Sequence, residues 1–514
     1  MPWRPAGRAG GRLLLMSSRA WLARAGAGAA LAALCVTAVA GCAAPAPRLL
    51  LGGITADQSA PDGIRVLPAG ADSPAGTRFP VGTVSPAGIV SPAAGASPGS
   101  AARRWLRDGS VPGSTPVLRQ MAAGALVDLR LLTRPDGAVA AAWYGKWKFA
   151  WPRDDSWAAA AFAATGHPGE SLRVLRFLAR VQYPSGRWAA KYTLSGTPVV
   201  TGPGSELDAC GWFPWAVWTW YSYGGGRRAA RRRELAGLWP AVRLAADATA
   251  ASLSRGGLPP PSPDYWEDRT SQPTIGTAGP LLAGLHAAVR LATGLRDESD
   301  ARRWAVAAAR LDRGIRTAYG PEFNRFPDRT GGQAEWLALF GDGAGPAGAG
   351  PAGAGPAGGG AAGGGLADGG LADGGLADGG QPGAWLLNGP DAAVTFLGPP
   401  FGPPDAAVNA AVARAARVLT LPNGGILAGT TWRGDRSVAW TPATGFFALY
   451  DASTGRLDAA RTWLNWLAAH RTAAGALPEQ VSASGQPVSV APLDWTCAIV
   501  LLALTAMRHP LPIP

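Results

Sequence analysis

The sequence predicts an all-α protein, a closed toroid of six helical hairpins, and three observations lead there. Apolar residues recur at three- and four-residue spacing through about a dozen segments, with little alternating strand signal between them. Some of these segments are apolar almost all round, such as DSWAAAAFAATG (155–166) and LDWTCAIVLLALTAM (493–507), as helices buried on every side are. Others, notably 229–254 and 298–318, carry arginines as outer helices do. Alternating inner and outer helices make two concentric layers. A solenoid would need a fixed-period repeat, and none is present.

The helical periodicity predicts helices at 116–133, 156–165, 168–182, 207–222, 229–254, 276–293, 298–318, 391–397, 405–419, 440–452, 456–470 and 492–508. Gly, Pro and polar clusters punctuate them. Ahead of this region, residues 1–41 hold five arginines, no acid and a short apolar run, the plan of a secretory signal. The run ends Val39-Ala40-Gly41-Cys42, which resembles a bacterial lipobox. Cys42 would then be the lipidated first residue of a mature protein anchored on the outer face of the cell membrane. The alternative is an ordinary cleaved signal with an incidental cysteine. Residues 42–104 are dominated by Ala, Pro, Gly and Ser and read as a flexible tether. A second low-complexity tract, about 343–383, reads as an insertion within the folded region 105–514.

The formal net charge of +13 falls to +8 without the five arginines of 1–41, which suits an anionic cell envelope. The basic run RRAARRRE (227–234) has no interleaved aromatics, so it reads as a solvated helix face rather than a nucleic-acid site. Four histidines are scattered, and no Cys/His spacing points to a metal. Beyond the signal and the anchor, Cys210 and Cys497 remain, either as a disulfide or as two buried thiols.

What remains for chemistry is acids and aromatics, gathered in loops between helices: FAWPRDDSW (149–157), GSELDACGWFPW (204–215), PDYWEDRT (263–270) and LPEQVSASGQPVSVAPLDW (477–495). Two carboxyls flanking a glycosidic bond can divide hydrolysis, one donating a proton and the other activating water. Glu267, beside Tyr265 and Trp266, suits the acid, its pKa raised by apolar neighbours. Glu479, beside Gln480, suits the base.

The order W-P-R-D, E-L-D-x-x-G-W, Y-W-E, L-P-E-Q and P-L-x-W resembles glycoside hydrolase family 15, over about residues 110–508 apart from the insertion. The resemblance implies an (α/α)6 barrel, an inverting mechanism, no cofactor and a glucose-containing oligosaccharide or disaccharide as substrate. It implies Glu267 as general acid and Glu479 as general base. Arg153 and Asp154 would hold hydroxyls of the terminal sugar, with Trp151 in the pocket wall. Glu206, Asp208, Trp266 and Gln480 complete the candidate substrate-binding set, and a monomer is expected. Members often carry an Arg-Tyr pair after a Gly-Gly, where this chain reads Gly424-Gly425-Ile426-Leu427-Ala428-Gly429; Trp432 and Arg433 are the nearby candidates to compensate. A glycan-binding lipoprotein on the same scaffold, or another (α/α)6 enzyme such as a phosphorylase, is the alternative reading.

Overall fold

A computed structural model describes residues 48–60, 62–70, 100–200, 205–223, 228–328 and 388–514. The signal sequence, Cys42 and the 343–383 tract lie outside the described residues.

Twelve α-helices are described: α1 (Ser100–Asp108), α2 (Pro116–Leu132), α3 (Pro152–Ala164), α4 (Pro168–Val181), α5 (Ala209–Tyr223), α6 (Arg228–Ser252), α7 (Ile275–Leu295), α8 (Glu298–Tyr319), α9 (Ala406–Leu419), α10 (Thr441–Ser453), α11 (Leu457–Ala469) and α12 (Asp494–Ala506). A 3₁₀ segment, Ala392–Leu397, stands between α8 and α9. The inner ring runs α3, α5, α7, the 3₁₀ segment, α10 and α12, and closes where α12 meets α3. Helices α2, α4, α6, α8, α9 and α11 pack outside it, so the predicted double layer is the observed one.

Local chemistry starts these helices where they start. Proline occupies the first turn of α2, α3, α4 and α10, where the missing N–H is no loss. Thr115, Thr274, Asp297 and Asp405 cap α2, α7, α8 and α9 with side-chain oxygens. Inner helices bury nearly every residue: in α3 only Ala164 is not fully buried. Helix α7 is long and apolar enough to cross a membrane, but 83% of its most apolar window is buried inside the barrel. Two glycines let α5 and α7 touch backbone to backbone. A Cβ on Gly211 would stand 2.0 Å from the Pro280 carbonyl oxygen, and one on Gly284 would stand 2.4 Å from Gly211 Cα.

The tether expectation fails over part of its length. Strands β1 (Leu49–Leu51), β2 (Gly53–Ala56) and β3 (Ile64–Leu67) fold onto the barrel, with Leu51 and Ile54 in its core. β2 and β3 form an antiparallel hairpin. β1 joins a four-stranded sheet of order β1-β6-β5-β4, with β4 (Ala439–Trp440), β5 (Gln480–Val481) and β6 (Pro487–Val490). Burial of these few apolar side chains decides the matter, although the surrounding composition is that of a linker. Helix α1 likewise begins before residue 105. Its Trp105 stacks on His167 at 3.9 Å between ring centres and donates to Glu170 at 3.0 Å.

Residues 325–328 and 388–391 meet at a closed neck. The Arg325 amide donates to the Gly389 carbonyl at 2.9 Å. Asn388 pairs with both backbone groups of Phe326, accepting at 3.0 Å and donating at 2.6 Å, and donates to Asp328 at 3.3 Å. Cys210 and Cys497 are buried thiols rather than a disulfide.

Candidate active site

The N-terminal ends of the inner elements converge on one mouth of the barrel. Partly charged N–H groups at a helix start favour acidic side chains there. Helix α3 enters through a bridge in which Ala150 and Tyr192 exchange two hydrogen bonds of 2.8 Å, so that Trp151 caps the helix and Arg153, Asp154 and Asp155 fill its first turn.

Arg153 is the hub. Its Nε donates to Asp154 at 3.0 Å, and one terminal nitrogen donates to Glu206 at 2.7 Å and lies 3.5 Å from Asp208. The other terminal nitrogen lies 3.8 Å from Glu267, and the guanidinium covers the Trp495 ring at 4.9 Å. The WPRDD and ELD motifs, separated by some fifty residues, are thus one cluster. Burial works against the Arg153 charge, but four carboxylates outweigh it and hold the guanidinium protonated. The acids respond in turn. Burial lifts Asp154 to about 7 and Asp208 to about 6, with Arg153 opposing both shifts. It raises Glu206 well above the carboxylate range too. Against one cation this set of carboxyls holds protons more tightly than free carboxyls do. Glu206 Oε1 and the indole N–H groups of Trp151, Trp266, Trp440 and Trp495 are buried without a protein partner.

Glu267 departs from expectation. Its side chain is 42% exposed, so apolar neighbours do not enclose it. The turn from Asp264, closed by the Glu267 amide on the Asp264 carbonyl at 2.7 Å, puts Glu267 in the left-handed region at φ 57°. Trp266 goes inward and Glu267 outward into the mouth. Tyr265 donates to Asp391 at 2.6 Å, while Arg325 lies over the Trp266 ring. Gly429 is what that packing requires: a Cβ there would stand 2.6 Å from the Trp266 ring. Trp432 packs edge-on against Trp266 at 5.2 Å and against Trp440 at 5.1 Å, forming an aromatic wall, while Arg433 is exposed.

Glu479 leads into β5, its amide donating to Val490 at 2.8 Å and its carbonyl accepting from Thr441 at 3.1 Å. One carboxylate oxygen accepts from the Trp147 indole at 3.1 Å and the other from the Ser489 hydroxyl. Burial raises its pKa, those two hydrogen bonds and Lys146 oppose the rise, and the charge of Glu267 adds to it. Gln480 is partly buried and pairs with Trp440 across β4 and β5.

Sequence reasoning gave no site role to Trp147, Asp391 or Arg325, and held Asp264, Ser489 and Trp495 only as members of the segments 263–270 and 477–495. The helix expected at 440–452 starts at the mouth too, with Trp440 at its N-terminal boundary as Trp151 is for α3. Arg325 lies in Phe323-Asn324-Arg325-Phe326, outside the four segments quoted for their acids and aromatics, and carried no signal. Among the described residues, no group of three or more His, Cys, Asp or Glu side chains is arranged to hold a metal ion.

No known protein-family model matches the chain. Over 185 residues it is 25% identical to an uncharacterized glycosyl hydrolase of Methanocaldococcus jannaschii, a match spanning 35% of this chain but only 28% of that protein. Its structure superposes on a glycosidase variant in complex with glucose with TM-score 0.54 at 18% identity, over 77% of this chain and 98% of the other. A bacterial glucoamylase complexed with acarbose gives TM-score 0.55 at 16% identity, over 79% and 58% of the two chains. The fold is that of these glycosidases. The (α/α)6 barrel expected from the sequence is therefore the observed architecture, and the resemblance to glycoside hydrolase family 15 holds at the level of fold.

Proposed function

We propose that the chain is an exo-acting, inverting glycoside hydrolase that releases glucose from α-glucosides. The carrying observation is the pairing at the mouth of Glu267, turned into the opening, with Glu479, whose two oxygens are each held by a donor. In this reading Glu267 donates its proton to the glycosidic oxygen as the bond to the anomeric carbon breaks. Glu479 takes a proton from a water that attacks that carbon on the opposite face, so the product leaves with inverted configuration. Arg153, Asp154, Glu206 and Asp208 supply the fixed donors and acceptors for the hydroxyls of the terminal sugar, and Trp151 and Trp495 supply apolar faces. The likeness in fold to a glycosidase holding glucose and a glucoamylase holding acarbose supports a saccharide substrate.

The test incubates the full chain with maltotetraose, isomaltotriose and trehalose and follows the anomeric protons by NMR. Early β-glucose from one of them, absent with Glu267→Gln and with Glu479→Gln, is the expected result. Binding without hydrolysis of any of the three would favour a glycan-binding scaffold instead, and product formation only with added phosphate would favour a phosphorylase. Anchoring belongs to the same proposal. Incorporation of labelled fatty acid that Cys42→Ala abolishes would place the enzyme on the outer face of the cell membrane; equal labelling of the variant would remove the anchor.

A further inference from the structure

The N-terminal segment reaches both donors that hold Glu479, Ser489 directly and Trp147 through its neighbour Lys148. Lys148, the residue after Trp147, pairs with Asp62 in the turn between β2 and β3 at 3.0 Å, and Arg134 lies 3.7 Å from the same carboxylate. Ser489 belongs to β6, along which β1 runs in parallel: Leu49 stands opposite Ser489 and Leu51 opposite Val490, with an irregular register between them. At that irregularity Ser489 adopts φ 66°, in the left-handed region. A non-glycine residue stays there when its surroundings over-determine it. Here β5 fixes one side of β6 and β1 the other. The position of β1 is set in turn by Leu51, which accepts from the Ala491 amide at 2.9 Å, and by Gly52, whose carbonyl accepts from the Thr472 hydroxyl at 2.6 Å.

We propose that residues 49–60 and 62–67 are a positioning element for Glu479, holding Trp147 through the Asp62–Lys148 pair and Ser489 through the β1–β6 ladder. The inference rests on the reading of Glu479 as the general base. Its consequence is that a segment with the composition of a linker sets the reactivity of a carboxylate more than four hundred residues further along the chain. The charged groups around Glu479 are Lys146 and Glu267, which act on it directly, with Lys148, Asp62 and Arg134 behind Trp147.

The experiment uses the full chain and whichever glucoside it hydrolyses, recording kcat, KM, the acid limb of kcat/KM against pH, and the melting temperature. Asp62→Ala breaks one grip. Gly52→Ala attacks the other, since its Cβ would stand 2.5 Å from the Pro68 carbonyl oxygen. Trp147→Phe, Ser489→Ala and Glu479→Gln are the references. An exposed ion pair contributes little stability, so Asp62→Ala should melt within a degree or two of the parent. Its kcat should nevertheless fall roughly three- to tenfold, because a slightly misplaced catalytic group loses rate steeply. KM should hold, and the acid limb should move to higher pH, as it should in Trp147→Phe. Lys148→Ala should match Asp62→Ala, and the double variant should add nothing. Should Gly52→Ala fail to fold, the Asp62 and Lys148 variants decide alone. Parental kcat and acid limb in Asp62→Ala and Lys148→Ala, with shifts in Trp147→Phe and Ser489→Ala, would overturn the inference while leaving Glu479 as base. Parental rates in Glu479→Gln would overturn both.

Discussion

The guanidinium carbon of Arg325 lies 3.5 Å from the centre of the Trp266 ring, the residue immediately before Glu267. The same guanidinium donates to Asp391 at 2.7 Å and to Asp264 at 3.0 Å, all three groups being buried. Asp391 also accepts from Tyr265 and caps the 3₁₀ segment, while Asp264 accepts from the Trp266 amide and the Thr274 hydroxyl. A charged knot therefore fixes the Tyr265-Trp266-Glu267 turn from below. Arg325→Met should cost about 3–5 kcal/mol in urea denaturation, because it leaves two buried carboxylates without their cation. Arg325→Lys should recover only part of that, lacking the flat face and the fork.

The two glutamates should separate by leaving group. Loss of a general acid matters most when the departing oxygen needs a proton, so Glu267→Gln should lose about 10²–10⁴-fold on a natural glucoside and far less on α-glucosyl fluoride. Glu479→Gln should be impaired on both, since both need an activated water. Equal losses on the two substrates in Glu267→Gln would remove it from the acid role. An experimental complex should also show their carboxyl groups about 6.5–9.5 Å apart, as inversion requires.

The buried acids around Arg153 make a prediction about stability and pH. Asp154 at about 7 and Asp208 at about 6 both stand above their ordinary value of 3.8. A carboxyl whose pKa is raised by folding holds its proton better in the native state. The stability it contributes is complete below 3.8 and is lost as pH rises through the folded value. The urea midpoint should therefore fall between about pH 4 and pH 8, and Asp154→Asn should flatten that slope. An unchanged slope would mean that the proton sits elsewhere in the cluster.

Gly429 is a steric prediction. Adding one methyl group there drives a carbon to 2.6 Å from the Trp266 ring and 3.2 Å from Asp391. Gly429→Ala should lower kcat/KM at least tenfold while the far-ultraviolet circular dichroism stays helical, because the displaced indole adjoins Glu267. Ala428→Gly, with no added bulk, serves as the control.

The helices were legible because their signal is long. A helix such as α12 is apolar over nearly its whole length, and the proline of α3 marks where that helix starts. The fourth inner element is the exception, six residues of 3₁₀ conformation where a helical turn was expected. The site was legible as segments rather than as partners: WPRDD, ELD, YWE and LPEQ each stood out, but nothing in the sequence said that Arg153 would take Glu206 and Glu267 together. Strands of two to four residues leave almost no periodicity. Leu49-Leu50-Leu51 looks like a fragment of linker until β6 gives it a ladder to join. The environment of Glu267 was misjudged because sequence neighbours in a tight turn point in opposite directions, so adjacent aromatics do not imply an apolar surround.

The neck between residues 325–328 and 388–391 bears on how this barrel tolerates added length. Asn388 ties residues 326 and 388 together by two hydrogen bonds, so these two points of the chain are already joined. Loop-closure entropy grows only with the logarithm of length, which makes a longer or shorter excursion nearly equivalent once the ends are fixed. Arg325 and Asp391 sit beside that tie and hold the Glu267 turn. The same knot that steadies the mouth thus makes the join between residues 328 and 388 a natural splice point, where grafted sequence would find its two ends already held together.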